Sequence, residues 1–235
     1  MAVPCPSFIE ALDLSLCRAV DIYCERTSDV FFAEPINALT NLAFLLTAWF
    51  AWRDLRRGTI KDPNLLLIVV GTLPVIAVGS FAYHTIATRW AEWADVFPIL
   101  FFMLSFLWLV VRRYLGWSVT GSAVVIFGFC ALTFGIEAQI PSRILWGGAM
   151  YLPTIVALLA IAASPIDWSA AARTSLFAAV GIFILSFAFR ILDTPVCPAF
   201  PLGTHFLWHI LNAGFFYLLL HAVILHSRSR GAHAV

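Results

Sequence analysis

Long apolar stretches alternate with short polar segments along most of this chain. Seven such stretches can be distinguished, and each is close to the roughly 20 residues that a helix needs to cross a bilayer. The apolar runs are continuous and show no period-two alternation, which favours helices over the strands of a barrel. The predicted spans cover approximately residues 33–52, 64–88, 93–111, 118–136, 144–164, 174–191 and 201–226.

The composition agrees with this pattern. Hydrophobic residues make up 62% of the 235 residues and charged residues 11%, whereas charged residues make up about 25% of a soluble domain. We therefore expect an all-α integral membrane protein, a seven-transmembrane helix bundle. The chain begins without the basic segment and long apolar core of a cleavable signal peptide, and a net charge of +1 does not indicate a nucleic-acid partner.

The expected organisation is one bundle with a polar cap. Residues 1–32 are predicted to form an extramembrane N-terminal cap, residues 33–227 the transmembrane bundle and residues 228–235 a cytoplasmic tail. Because Lys and Arg accumulate in cytoplasmic loops, the orientation with the N-terminus outside and the C-terminus cytoplasmic is favoured. It puts nine basic residues inside and five outside. The nine are Arg53, Arg56, Arg57, Lys61, Arg112, Arg113, Arg173, Arg228 and Arg230, and the five are Arg18, Arg26, Arg89, Arg143 and Arg190.

This orientation predicts on which side of the membrane the cysteines lie. Cys5, Cys17, Cys24 and Cys197 would all lie on the outer, oxidising side, where disulfides persist. Cys130 lies in the middle of a predicted span and is expected to be a packed free thiol.

Five polar side chains inside the spans are predicted to converge near the outer face. Ser80 and His84 are four residues apart, as are His205 and His209, so each pair lies on one face of its helix. His84 is about four residues, or roughly 6 Å, from its helix end, and Asp95 is about two residues into the next helix. The seventh span begins on the same side. Ionisable groups within spans are costly and mark functional sites.

This combination is typical of a catalytic metal site. Three histidines with one open coordination position are a catalytic zinc ligand set, and neutral imidazoles suit zinc better than calcium or magnesium. We therefore expect His84, His205 and His209 to hold Zn²⁺, which lowers the pKa of a bound water toward about 7. Asp95 would serve as the base or orienting group, and Ser80 would hydrogen-bond the water or a developing oxyanion.

The same residues are open to other interpretations. Membrane histidines also pack and form hydrogen bonds between helices. A receptor-like or transport protein could use the His/Asp group for ligand or proton handling, and two of the histidines could be axial ligands of a haem. A hydrolase with the same metal site could act on another acyl lipid.

Short motifs surround the candidate ligands. They are Tyr23-Cys24-Glu25, Ala33-Glu34-x-x-Asn37, Gly79-Ser80-x-x-x-His84 and Gly203-Thr204-His205-x-x-Trp208-His209, together with Asp95. In this combination the chain resembles the alkaline ceramidase family over most of its length. That family belongs to a superfamily of seven-helix membrane hydrolases that also includes the adiponectin/progestin receptors.

The resemblance implies an activity and a site. The reaction would be hydrolysis of a ceramide-like lipid to a sphingoid base and a free fatty acid, as part of sphingolipid metabolism. Zinc would be held by His84, His205 and His209, with Asp95 as general base and Ser80 as a second contact of the attacking water. The resemblance also implies a disulfide between Cys24 and Cys197.

The resemblance further implies a calcium site in the cap. The family pattern is Asp-Trp-Cys-Glu-x-Asn, followed by a Glu at the mouth of the first helix. Glu25 and Glu34 match it, while Tyr23 and Thr27 stand at the Trp and Asn positions and Asp21 is one residue off. Carboxylate and other oxygens suit a hard cation. The alternative is an acidic cap that helps to close the bundle without calcium.

The expected partner is a lipid substrate in the bilayer, ceramide or a related N-acyl lipid. The tails are short and carry no retention signal. A multi-pass protein of a bacterial inner membrane is therefore expected, with an internal membrane of a eukaryote as the alternative.

Overall fold

The described residues of the computed structural model, which are 5–28, 30–58, 60 and 62–232, form helices joined by short loops, with one isolated β-bridge. This confirms the predicted all-α class. A 3₁₀ turn at Leu14–Cys17, a π-helical turn at Val110–Tyr114 and a 3₁₀ turn at Ala149–Tyr151 accompany the α-helices. The α-helices are α1 (Ser7–Leu12), α2 (Pro35–Thr40), α3 (Leu42–Arg56), α4 (Asn64–Ile86), α5 (Arg89–Leu109), α6 (Val119–Gln139), α7 (Ser142–Leu145), α8 (Leu152–Ala162), α9 (Ala170–Val196) and α10 (His205–Ala232).

Five helices within the described ranges are long and apolar enough to cross a membrane. They are α4, α5 with its π-helical extension to Tyr114, α6, α9 and α10. Their length and composition support a multi-pass membrane protein. The predicted sixth span, 174–191, is longer than expected, because α9 continues on both sides of it.

Two of the predicted spans contain shorter helices. In the first, Asn41 separates α2 from α3. In the fifth, Trp146 and Gly147 have positive φ angles of 50° and 72°, so α7 ends there and the apolar helical segment Ala149–Ala162 follows. The span count of seven, the orientation and the domain limits therefore stay predictions. Lys61, used for the orientation, lies outside the described residues, as do residues 1–4 and 233–235.

The helix that carries two of the candidate ligands is the most buried candidate span. In α10, 61% of the apolar window is buried inside the protein, against 17% in α6. Small and branched residues such as Ala213, Ala222 and Val223 let α10 pack closely against its neighbours, whereas Val124 and Phe127 of α6 are exposed. The candidate ligands on α10 are thus held from several sides.

The cap is attached directly to the turn between α4 and α5. Ala19 and Thr88 form the isolated antiparallel bridge, and the Val20 N–H donates to the Ala87 carbonyl at 2.8 Å. Since this turn separates His84 from Asp95 in the sequence, the cap lies against the part of the bundle where the candidate site was predicted.

Two disulfides close the cap. Cys24–Cys197 joins it to the end of α9, which confirms the pairing that the resemblance implies. Cys5–Cys17 closes a loop within the cap, and Cys130 is free, as expected. The long-range bridge fixes the segment that contains Tyr23 and Glu25 beside the helices.

Removing the two disulfides should have unequal effects. The Cys24–Cys197 bridge spans 173 residues and the Cys5–Cys17 bridge 12, so loop-closure entropy predicts stabilisation of about 5 and about 3 kcal/mol respectively. We expect the double variant Cys24→Ser/Cys197→Ser to melt at a lower temperature than Cys5→Ser/Cys17→Ser. Thermal unfolding in detergent measures this, and the opposite order would contradict it.

Candidate metal centre

Three histidines from two helices form one buried cluster. His84 lies near the end of α4, and His205 and His209 lie on the first turns of α10. Their side chains are 0%, 1% and 2% exposed, and one ring nitrogen of each lies within 4.8 Å of the others. Within the described part of the chain, no other group of three or more His, Cys, Asp or Glu comes together in this way.

The hydrogen bonds of two histidines determine which nitrogen faces the centre. The Glu34 carboxylate accepts from His84 Nδ1 at 2.6 Å. Thr40 Oγ1 donates to a backbone carbonyl, so it accepts from His209 Nδ1 at 2.9 Å. A neutral imidazole has one N–H, and the Nε2 atoms of His84 and His209 therefore point lone pairs at each other across 3.2 Å.

A cation bound between these nitrogen atoms would replace the repulsion of their lone pairs with attraction. Zinc–nitrogen bonds of about 2.0–2.1 Å in a tetrahedron put two nitrogens about 3.3 Å apart, close to the separation of His84 and His209. Nδ1 of His205 is buried without a hydrogen-bond partner. The three residues fit a metal ion with a preference for imidazole, a property that zinc shares with copper, iron and nickel.

The carboxylate of Glu34 supports the cluster from behind. Metal-bound histidines commonly donate their second N–H to a carboxylate, which fixes the ring. Glu34 also accepts from Arg26 Nε at 2.6 Å and from Asn37 Nδ2 at 3.1 Å. Its position before Pro35, at the start of α2, was predicted as the mouth of the first span, but its contact with His84 was not.

Asp95 and Ser80 adjoin the histidines. Ser80 is 2% exposed and lies one helical turn before His84, while Oδ1 of Asp95 is buried and has no hydrogen-bond partner. An unpaired buried carboxylate oxygen is costly in a folded protein. This oxygen is therefore available to a water or a substrate group.

A glycine brings these two side chains together. A Cβ atom at Gly79 would lie 2.0 Å from the backbone carbonyl oxygen of Ala94. Only glycine permits this approach of α4 and α5. Ser80 is the residue after Gly79, and Asp95 is the residue after Ala94. The Gly79-Ser80 pair of the motif therefore allows the close packing of α4 against α5.

The start of α10 is held by Asp193 of α9. Its carboxylate accepts from the backbone N–H groups of Thr204 and His205 at 2.6 and 2.8 Å and from that of Cys24 at 3.0 Å. Gly203 has φ +68°, and a Cβ there would meet the Asp193 carboxylate at 2.1 Å. A capping carboxylate at a helix N-terminus is favourable and fixes the first turn, where His205 lies.

The residues of the predicted calcium site are placed differently from one another. Glu25 accepts from the backbone N–H groups of Ile36 and Asn37 at 2.6 and 2.8 Å. Asp21 and Thr27 are exposed. Oxygens on one calcium ion lie at most about 5 Å apart, and the carboxylates of Asp21, Glu25 and Glu34 do not form such a group. The described geometry does not fit calcium.

Tyr23 places its ring beside the histidine cluster. It stacks on His205 with ring centroids 3.6 Å apart and an interplanar angle of 20°. Burial raises the pKa of the Tyr23 phenol, so the ring stays neutral. This contact could not be predicted from the sequence, because the two residues are 182 positions apart.

A cavity of about 890 Å³ opens beside the centre. Tyr23 lies between this cavity and His205. Aromatic and aliphatic side chains form much of the wall, and Arg190 adds a buried positive charge that donates to the carbonyls of Trp146 and Gly147. The lining includes Trp93, Val96, Phe97, Leu100, Phe134, Met150, Tyr151, Asp21, Glu92, Arg89 and Arg143.

The comparisons with known proteins agree with the motifs. A family model described as Ceramidase matches residues 21–234, nearly the whole chain. No curated protein sequence matches the chain.

The geometry predicts the metal content of purified protein. We expect about one metal ion per chain in the wild type and its loss in His205→Ala, because two imidazoles would remain. His221 lies on the same helix and contacts Asp54 at 3.4 Å, outside the cluster, so His221→Ala is the matched control. Elemental analysis of metal-replete preparations measures this. Equal metal in both variants would contradict the assignment.

Proposed function

The chain belongs to the ceramidase family, hydrolases that act on amide bonds, and from that premise we propose that it is a zinc-dependent intramembrane amidase. Its substrates would be ceramide-like lipids, and its products a sphingoid base and a free fatty acid. The proposal includes the cap at 1–32 outside, a catalytic seven-helix bundle at 33–227 and a cytoplasmic tail at 228–235. A bacterial inner membrane is the proposed location.

The observation that carries the proposal is the convergence of buried, unsatisfied polar atoms. The Nε2 atoms of His84 and His209 face each other, one ring nitrogen of each of the three histidines lies within 4.8 Å of the others, and Nδ1 of His205 has no hydrogen-bond partner. The unpaired Asp95 Oδ1 lies beside this cluster. Membrane interiors rarely hold such groups without a function. This arrangement supplies metal ligands and a proton acceptor together, as amide hydrolysis requires.

Each side chain has a role in the proposed reaction. When bound by the three histidines, zinc would lower the pKa of a water and polarise the amide carbonyl. Asp95 Oδ1 would accept the proton of the attacking water and later pass it to the leaving amine. Ser80, which follows the close approach of α4 and α5 at Gly79, would orient that carboxylate or donate to the developing oxyanion.

The cavity supports a lipid substrate. Ligand sites of about 300–1,000 Å³ with mostly apolar walls and a few polar groups are typical of small-molecule binding. The cavity beside the centre has about 890 Å³, with Leu100 and Phe97 on its wall and Arg190 as a buried cation. An acyl chain could lie in this cavity against the apolar residues, with Tyr23 between the chain and His205.

The alternatives receive less support from the geometry. A haem between His84 and His209 requires room for a macrocycle, whereas their Nε2 atoms are 3.2 Å apart. A proton relay in a transport protein would use the same side chains, and a hydrolase of ester lipids would use the same metal. Assays for fatty-acid release from amide and ester lipids distinguish both of these alternatives from the amidase.

Changing Asp95 should abolish turnover without removing the metal. We expect Asp95→Asn to reduce kcat by about 10²–10⁴-fold, the range for loss of a general base. Asp167 is exposed in the loop before α9, so Asp167→Asn is a control with the same chemical change. Fatty-acid release from a ceramide in mixed micelles measures activity, and elemental analysis measures the metal.

The outcomes separate the hypotheses. Fatty acid released by the wild type and not by Asp95→Asn, with equal metal in both, agrees with the proposal. Full activity of Asp95→Asn would remove the assigned base. A wild type that binds metal but releases no fatty acid from any amide would contradict the amidase and favour the receptor or transport alternative.

Filling the cavity should impair long-chain substrates selectively. Leu100 lines the cavity, while its neighbour Phe101 is 53% exposed on the outside of α5. We expect Leu100→Trp to lower kcat/KM for long-chain ceramides by about tenfold or more, as small volume changes do in apolar pockets. Phe101→Trp is the control. Equal effects of the two variants on substrates with long and short acyl chains would contradict binding of the acyl chain in this cavity.

A further inference from the structure

A buried arginine stands where the cap meets the bundle. Arg26 is 7% exposed as a residue, and the side chains of Arg26 and Glu34 are 4% and 3% exposed. Its Nε donates to the Glu34 carboxylate at 2.6 Å. Its two terminal nitrogens reach the carbonyl oxygens of Ser28 at 3.3 Å and His84 at 3.4 Å.

These partners are the oxygen types that a calcium ion takes. A carboxylate and two backbone carbonyls are common calcium ligands, and here they surround a guanidinium instead. The partners belong to the cap, to the residue before α2 and to α4. The cation at this junction is therefore part of the chain.

Glu25, a second acidic residue of the predicted calcium site, already accepts hydrogen bonds from the backbone. Glu25 accepts from two backbone N–H groups of α2, and those contacts use both of its oxygens. Its carboxylate and that of Glu34 thus serve different donors, although both lie at the start of the first span. Asp21 lies on the cavity wall.

We propose that the Arg26 guanidinium takes the place of the calcium ion that the family resemblance implies, so that this protein closes its cap on Glu34 without calcium. Arginine is always charged and offers five donors in a fixed plane. It can therefore link three segments at any calcium concentration. This inference goes beyond the proposed hydrolysis and concerns what keeps the cap on the bundle.

The first measurement is the response of the wild type to calcium. Protein is transferred into calcium-free buffer supplemented with zinc, and unfolding is followed by tryptophan fluorescence with and without about 5 mM CaCl₂. A site with a Kd of about 10⁻⁴ M would raise the Tm by about 5–10 °C at that concentration. We expect no rise and no stoichiometric calcium by elemental analysis. A rise of that size, or one bound calcium per chain, would overturn the proposal.

The second measurement uses variants of Arg26. Removing one partner of a buried ion pair is strongly destabilising, so we expect Arg26→Ala to lower the Tm by at least about 5 °C. Arg26→Lys keeps the charge but loses the fork of donors, and an intermediate Tm is expected. Arg18, an exposed arginine of the same cap, provides the control Arg18→Ala, which should melt like the wild type.

The results are independent of enzymatic activity. Should Arg26→Ala fail to fold, Arg26→Lys and the calcium titration of the wild type still decide. Equal Tm values for Arg26→Ala, Arg26→Lys and Arg18→Ala would contradict a structural role of the guanidinium. Because unfolding needs no substrate, a failure of the amidase proposal would leave these outcomes unaffected.

Discussion

A negative charge inside a low-dielectric protein must be matched by donors, and the Glu34 carboxylate meets this constraint by joining three parts of the molecule. Arg26 of the cap, Asn37 of α2 and His84 of α4 all donate to it. Leaving any buried charge without such partners is costly. The attachment of the cap and the orientation of the His84 ring therefore depend on the same carboxylate, which links the candidate metal centre to the cap.

Close backbone approaches complete the site at two further points. At Gly79 the absence of a Cβ lets α5 come against α4, which brings together the helix segments that carry Ser80 and Asp95. At Gly203 it lets the chain pass Asp193, whose carboxylate holds the first turn of α10. Both glycines adjoin functional side chains in the sequence motifs. Their role is steric, since a methyl group at either position would collide with an oxygen atom.

The part of the site that follows helical spacing could be predicted from the sequence. His205 and His209 lie one turn apart, and His84 lies at the same depth as the start of their helix. Helical periodicity and the limits of the spans were therefore enough to predict the three histidines as one group. Contacts between distant segments could not be predicted this way. The hydrogen bond of Thr40 to His209 and the stacking of Tyr23 on His205 join residues 169 and 182 positions apart. Positive φ angles at Trp146 and Gly147 likewise shortened a predicted span.

The role of Arg26 shows why residue identity alone misleads at such a junction. In the sequence, Arg26 is one of five basic residues predicted on the outer side of the membrane. Glu25 and Glu34 together suggest a divalent cation. Only the fold shows that the guanidinium enters between Glu34 and the carbonyl of His84. A histidine that binds a metal must be neutral, and Arg26 supplies the positive charge that Glu34 requires. The carboxylate can then accept the N–H of His84, while Nε2 of that ring faces the other two histidines.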